Sequence, residues 1–161
     1  MGKQDKTNVM RLLEAAGIPY IAHQYAHKHN EAVDGVTVAE SLGQPYAQVF
    51  KTLVTKCHSG EFAVFVIPVA EELDLKAAAK AVNEKSAEMI PVKDLLKITG
   101  YIRGGCSPIG MKKPFKTVLH DSALHFGTII FSGGKIGYQV EMSPNDLLTL
   151  IGAETASIIK S

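Results

Sequence analysis

Apolar positions along the chain fall into short runs, and their spacing changes from run to run. In NVMRLLEAAG, Val9, Leu12, Leu13 and Ala16 share one helical face, and Gly17 supplies the stop. Pro19 then opens a short extended run to Tyr25, after which HKHNEAVDG is polar and reads as a loop. TVAESLG predicts a helix that starts with a capping box, Thr37 with Glu40, and closes on Gly43. VFKTLVTK and FAVFVIPV are dense in β-branched and aromatic residues and read as strands, with CHSGE as the hairpin turn between them.

ELDLKAAAKAV predicts a helix capped by Asp74, and VKDLLKITG a second amphipathic helix ended by Gly100. TGYIRGGCSPIGMKK follows as a long loop with adjacent glycines, a cysteine, Ser-Pro and three basic residues. KTVLH and GTIIFS read as strands, and GGKIGYQVEM as a Gly-Gly turn leading into another. SPNDLLTLIG carries Ser143 at an N-cap, Pro144 at the first helical position and Asp146 at the third. Helices and strands are mixed without regular alternation. The expected fold class is mixed α/β (α+β-like), with a closed or strongly curved barrel-like sheet surrounded by helices. A length of 161 residues suits one domain spanning 1–161.

Composition narrows the function. There is no GxGxxG at a strand–helix junction and no GxxxxGK[ST], so no nucleotide cofactor is expected. No apolar run approaches the roughly 18–20 residues that cross a bilayer, and the polar start lacks a secretory core. Two cysteines, Cys57 and Cys106, make neither a CxxC nor a disulfide framework, so a cytoplasmic setting is expected. With a net charge of +1, a nucleic-acid partner would have to be met by a local patch.

Several residues bear on chemistry. Cys106 lies near Arg103, Lys112 and Lys113, which could activate a thiol, although a lone cysteine is more often a small buried hydrophobe. Ser107 stands outside any GxSxG elbow and reads as a turn residue or a hydroxyl offered to a substrate. His23, His27 and His29 fall within seven residues, but their spacing matches no metal motif, and solvated histidines with no metal are expected. Lys51 interrupts a strand-like run. It is either an edge-strand charge or a cation pointing into a cavity for a phosphate, carbonyl or carboxylate. Gly133–Gly134 reads as a tight turn. The Gly104–Gly105 pair sits in the long loop, where bare backbone can approach a ligand or present amides to an oxyanion.

Taken together, VFKTLV, VIPVAEELDLKAAAKA, TGYIRGGCSPIGMKK and FSGGKIGYQVEMSPNDLL resemble the YbaK/EbsC family. These are bacterial proteins that hydrolyse misacylated Cys-tRNA(Pro), related to the editing domain inserted in prolyl-tRNA synthetases. The RGGCSPIG version resembles the EbsC-like branch. The resemblance implies a functional lysine at Lys51, a tyrosine of an H-x-Y-x-H segment at Tyr25, a Gly-Gly loop at Gly104 and Gly105 followed by Ser107, and a strand-end serine at Ser132. Gln139 occupies a position that is often aspartate in the family.

The resemblance also implies a substrate-assisted reaction, in which the cysteinyl thiol attacks its own ester carbonyl and leaves as a thiolactone. A thiol with a pKa near ~8.5 is partly thiolate at neutral pH, and intramolecular attack carries an effective molarity of about 10⁵ M or more. In that picture Gly104 and Gly105 contact the aminoacyl group and Lys51 anchors the terminal adenosine or its phosphate. Tyr25, Ser132 and Gln139 shape the pocket. Arg103, Lys112, Lys113 and Lys116 would form a basic rim with Lys51. The implied partners are the aminoacylated 3′ end of tRNA and, transiently, prolyl-tRNA synthetase. Two other readings stay open: a deacylase for alanyl or other small aminoacyl-tRNAs, and a non-catalytic tRNA-binding protein of the same fold, which Gln139 keeps in view.

Overall fold

In the computed structural model, which describes residues 6–28 and 31–161, the branched and aromatic runs pair as strands. Strands β2 (Phe50–Cys57) and β3 (Phe62–Pro68) form the expected antiparallel hairpin. The remaining strands are β1 (Ile21–Gln24), β4 (Ala87–Met89), β5 (Lys116–His120), β6 (Ile129–Ser132), β7 (Tyr138–Met142) and β8 (Glu154–Ala156). Helices α1 (Asn8–Ala15), α2 (Gly35–Leu42), α3 (Leu75–Ala81), α4 (Leu95–Thr99) and α5 (Pro144–Ile151) lie between them.

The expected closed, barrel-like sheet is not formed. The strands divide into a three-stranded sheet ordered β1-β7-β6 and a five-stranded sheet ordered β4-β2-β3-β5-β8. Closure would need β2 and β6 to pair, yet they share only an isolated parallel bridge, Val49 to Ile130. The residues that would extend it, Lys51–Leu53 and Phe131–Ser132, line a cavity instead.

Side-chain alternation on β3 separates two cores. Phe65 and Ile67 pack with Ala78 of α3 and Val118 of β5 on one face. Val66 turns to the other face, where it joins Leu13 of α1, Phe131, Val140 and Leu147 of α5. β3 pairs antiparallel with β2 and parallel with β5, so it is buried on both faces and reads as a continuous apolar run.

Capping fixes the helix starts. Asp74 accepts from the backbone N–H of Lys76 and Ala77 at 3.0 and 3.1 Å, and Ser143 Oγ accepts from Asp146 N at 3.3 Å, both as expected. For α2 the expected cap was misplaced. Asp34, not Thr37, is the N-cap; its carboxylate accepts from Thr37 N at 2.9 Å and from Thr37 Oγ1 at 2.8 Å. In α1, Met10 is buried in place of Leu12, which is 38% exposed. The VKDLLKITG helix is short: a 3₁₀ turn at Val92–Asp94 precedes α4, and Gly100 ends it at φ 89°. No described helix is long and apolar enough to cross a membrane.

Phe65 has no exposed surface and sits at the centre of the α3-side core. Phe65→Ala is expected to lower the unfolding free energy by about 3–5 kcal/mol, measured by equilibrium urea denaturation. A loss below about 1 kcal/mol would contradict this placement of the core.

Candidate functional site

The phase of the β2–β3 ladder decides what faces the gap between the sheets. Val49 O accepts from Val69 N and Cys57 N donates to Glu61 O, both at 2.8 Å. Odd-numbered residues of β2 therefore turn their backbone groups toward β3, and even-numbered ones turn theirs away. On that far side β4 covers only Thr55–Cys57. The peptide N–H and C=O of Thr52 thus face the wedge between β2 and β6.

The wedge encloses a cavity of about 680 Å³. That volume falls in the range of small-molecule sites, about 300–1,000 Å³. Phe50, Leu53, Val69 and Phe131 form much of its apolar lining, and Tyr25, Asp34, Lys51, Arg103, Ser132 and Gln139 contribute polar groups.

Lys51 is half-buried in the cavity wall and is not a charge on an outer sheet edge. Burial pulls its ammonium pKa below the usual lysine value, and the charges of Glu72 and Glu71 oppose that pull. Ser132, at the end of β6, accepts from Gly134 N at 3.1 Å, which leaves its hydroxyl proton to give. Tyr25 follows β1 and is tied down by its own N–H, which donates to Gly137 O at 2.9 Å.

Gln139 is 4% exposed and forms a reciprocal amide pair with Gln44. Gln44 Nε2 donates to Gln139 Oε1 at 2.8 Å, and Gln139 Nε2 donates back to Gln44 Oε1 at 3.1 Å. The pair clips the end of α2 to β7. Gln44 has no signature in the sequence, because its partner lies 95 positions away.

The glycine pair divides in role. Gly104 lines the cavity at φ 87°, and a Cβ there would lie 2.9 Å from Ala32 Cβ, so both conformation and space require glycine. Gly105 does not line the cavity. Its N–H donates to Ile102 O at 2.9 Å and closes a turn, so it is not offered to an oxyanion as expected. A Cβ on Gly105 would come within 3.3 Å of Ile136 N and of Lys135 Cα, so its bareness serves loop-to-loop packing.

Ser107 is fully buried and accepts from Ile109 N at 3.3 Å, a turn role away from the cavity wall. Cys106 does line the cavity, but burial pushes its thiol up to about 12, so it stays protonated at neutral pH. Of the expected basic rim, Arg103 and Lys51 reach the cavity. Lys112 donates to Lys97 O at 3.2 Å, and Lys116 approaches Glu154 at 4.0 Å; neither they nor the exposed Lys113 line it.

His23 and His27 have separate partners. His23 Nε2 pairs with Glu141 at 2.8 Å, His27 Nδ1 bonds Lys28 O at 3.1 Å, and His29 lies outside the described residues. Among the described residues no three His, Cys, Asp or Glu side chains could hold a metal. Asp34, Thr52 and Tyr138 join the wall unannounced by sequence, and Asp34 is the only carboxylate among the lining residues. Hydrogen bonds from Thr37 hold its carboxyl below the ordinary aspartate value.

The model of the "Aminoacyl-tRNA editing domain" family matches residues 29–150. This chain belongs to that family. The family match spans the cavity, from Asp34 through Lys51 and Gly104 to Gln139. A relative, the candidate Cys-tRNA(Pro)/Cys-tRNA(Cys) deacylase EbsC of Enterococcus faecalis (strain ATCC 700802 / V583), is 46% identical over 155 residues, covering 96% of this chain and 94% of the relative. Among solved structures, a candidate trans-editing enzyme for prolyl tRNA synthetase superposes with TM-score 0.79 at 21% identity, over 98% of this chain and 100% of that one. The hypothetical protein APE2540 superposes with TM-score 0.83 at 21% identity, over 94% of this chain and 99% of that one. At such identities the two structural likenesses speak to fold.

The depressed ammonium of Lys51 fixes a sign for stability. With the folded pKa below the unfolded value of 10.5, the unfolded chain binds the proton more readily, so stability rises with pH on the approach to 10.5. Below that window the charged lysine costs stability in full. Lys51→Met is therefore expected to raise the urea midpoint at pH 7, with the gap to wild type narrowing as pH climbs toward 10.5. A variant less stable than wild type at pH 7 would contradict a desolvated Lys51.

Proposed function

We propose that this protein deacylates misacylated Cys-tRNA(Pro), with the cysteinyl thiol of the substrate as the nucleophile. One observation carries the reading: the cavity holds a desolvated cation and a glycine-lined loop but no assembled nucleophile. Among the described residues no histidine lines it, and its one lining cysteine is held protonated by burial. The 46% identity to a candidate deacylase of that substrate supports the same assignment.

In this reading the substrate thiolate attacks the ester carbonyl. A C–S bond forms, the C–O bond to the terminal ribose breaks, and the ribose oxygen takes up a proton. The products are free tRNA and a cysteine thiolactone, which water opens. The Lys51 ammonium anchors the terminal adenosine or its phosphate, and its partly desolvated position strengthens that contact. Gly104 lets the aminoacyl group approach the loop backbone. Tyr25 and Ser132 hold polar groups. Gln139, tied to Gln44, sets the width of the pocket rather than charging it.

Asp34 supplies the negative charge that position 139 lacks, facing the substrate's α-ammonium. An alanyl ester fits the same space but brings no nucleophile. Size alone separates such neighbours by only ~1–3 kcal/mol, so a required thiol discriminates better. The whole chain, 1–161, acts as one cytoplasmic editing unit, and a transient complex with prolyl-tRNA synthetase supplies tRNA selection that two cavity cations do not.

Deacylation of purified Cys-tRNA(Pro) tests this directly. Lys51→Ala is expected to slow turnover roughly 10- to 100-fold, the worth of a charge-assisted contact, while Cys106→Ala leaves the rate unchanged. Alkylating the substrate thiol should stop release. Equal turnover of Ala-tRNA(Pro) would favour a deacylase for small residues, and no release above the spontaneous rate would favour a binding protein.

Asp34→Asn keeps the cap of α2, since asparagine caps as well as aspartate. It is expected to raise KM for Cys-tRNA(Pro) with kcat nearly unchanged. An unaltered KM would remove Asp34 from substrate binding.

A further inference from the structure

A second hollow lies against the first. Its volume is about 320 Å³, and its walls include His27, Gly100, Tyr101, Lys135 and Tyr138. Tyr138 lines both hollows. The partition between them is the contact of Gly104 and Gly105 with Ile136 and Lys135, where any Cβ on the glycines would press at 3.3–3.4 Å. The rings of Tyr25, in the first, and His27, in the second, meet edge to face at 6.4 Å.

The lining suits a nucleotide. Tyr138, half-buried, offers aromatic surface, and the buried Tyr101 ring is pinned by its hydroxyl, which donates to Ile109 O at 2.5 Å. The carbonyl of Lys28 can only accept, so His27 Nδ1 is the donor of that bond and Nε2 is left as an acceptor in the neutral ring. Nε2 lies 2.7 Å from where a Cβ on Gly137 would stand, so a glycine at φ 96° makes room for the imidazole. Lys135 is exposed on the rim, the Lys112 stem runs 3.3 Å from a Cβ placed on Gly100, and among the described residues no carboxylate lines the hollow. Aromatic faces with lysines along one side are how single-stranded nucleic acid is held.

We propose that this second hollow seats the cytidine that precedes the terminal adenosine of tRNA, its base against Tyr138 and the linking phosphate over the partition between Arg103 and Lys135. The proposal rests on the tRNA-editing reading and adds a second nucleotide subsite to it. Recognition then extends beyond one nucleoside. Lys135 and His27 become contacts for affinity, separate from the groups that face the ester.

The test is NMR titration of the intact protein with adenosine 5′-monophosphate and with cytidylyl-(3′→5′)-adenosine, which shares the phosphate on adenosine and adds only the cytidine. Wild type is expected to bind the dinucleotide about five- to a hundredfold more tightly, the worth of one stacked base. Lys135→Ala and His27→Ala, both at exposed positions, should shrink that ratio toward one and leave the mononucleotide affinity in place. Equal affinities in wild type, no binding of the dinucleotide, or variants that weaken both ligands alike would overturn the subsite. Because the readout is binding, an inactive protein that keeps the dinucleotide preference would sink the deacylase reading and spare this one.

Discussion

Among the described residues a single isolated backbone bridge, Val49 to Ile130, joins the two sheets, and the pairing stops there. That interruption creates the cavity. Beyond the bridge β2 keeps an open edge, and Thr52 turns its peptide groups into the gap while its buried Oγ1 has no partner among the described residues. A buried polar group left unpaired costs about 1–3 kcal/mol, so the fold carries a local cost where a ligand can bond. Edge strands are usually covered or charged on the outside. Here the edge is turned inward and placed beside Lys51.

The same geometry explains what the site lacks. A serine or cysteine nucleophile needs a base to activate it, and among the described residues no histidine stands in the walls. Burial that disfavours ionisation of Cys106 also depresses the Lys51 ammonium, since one desolvated environment penalises both charges. A cation kept there at a cost to stability is the mark of a site rather than of a scaffold. In the proposed reaction a substrate that carries its own thiol brings the reactive group, and the tethered geometry favours its attack.

Local signals were legible and long-range ones were not. The β2–β3 hairpin and the caps at Asp74 and Ser143 follow from residues within a few positions of one another, and all were read from sequence. β4 and β8 are three-residue strands with no apolar run, so nothing in AEM or ETA announces them. The cap of α2 was misplaced because Asp34 and Thr37 are both good caps, and only the hydrogen bond between them shows which leads. Lys51 was visible because it breaks an apolar strand. Gly105 and Ser107 looked like Gly104, yet their polar groups are spent on Ile102 and Ile109 inside the loop. The split into two sheets depends on where β2 and β6 cease to pair, a distance that no local pattern encodes.

The central claim is that the wedge between β2 and β6 receives the aminoacylated adenosine. The most direct measurement is a backbone NMR titration with 3′-cysteinylamino-3′-deoxyadenosine, in which an amide replaces the scissile ester. The account predicts that the largest shift changes fall on Lys51, Thr52, Gly104 and Ser132. Changes centred on the α3 face of the five-stranded sheet, or none at these four residues under saturating ligand, would contradict it.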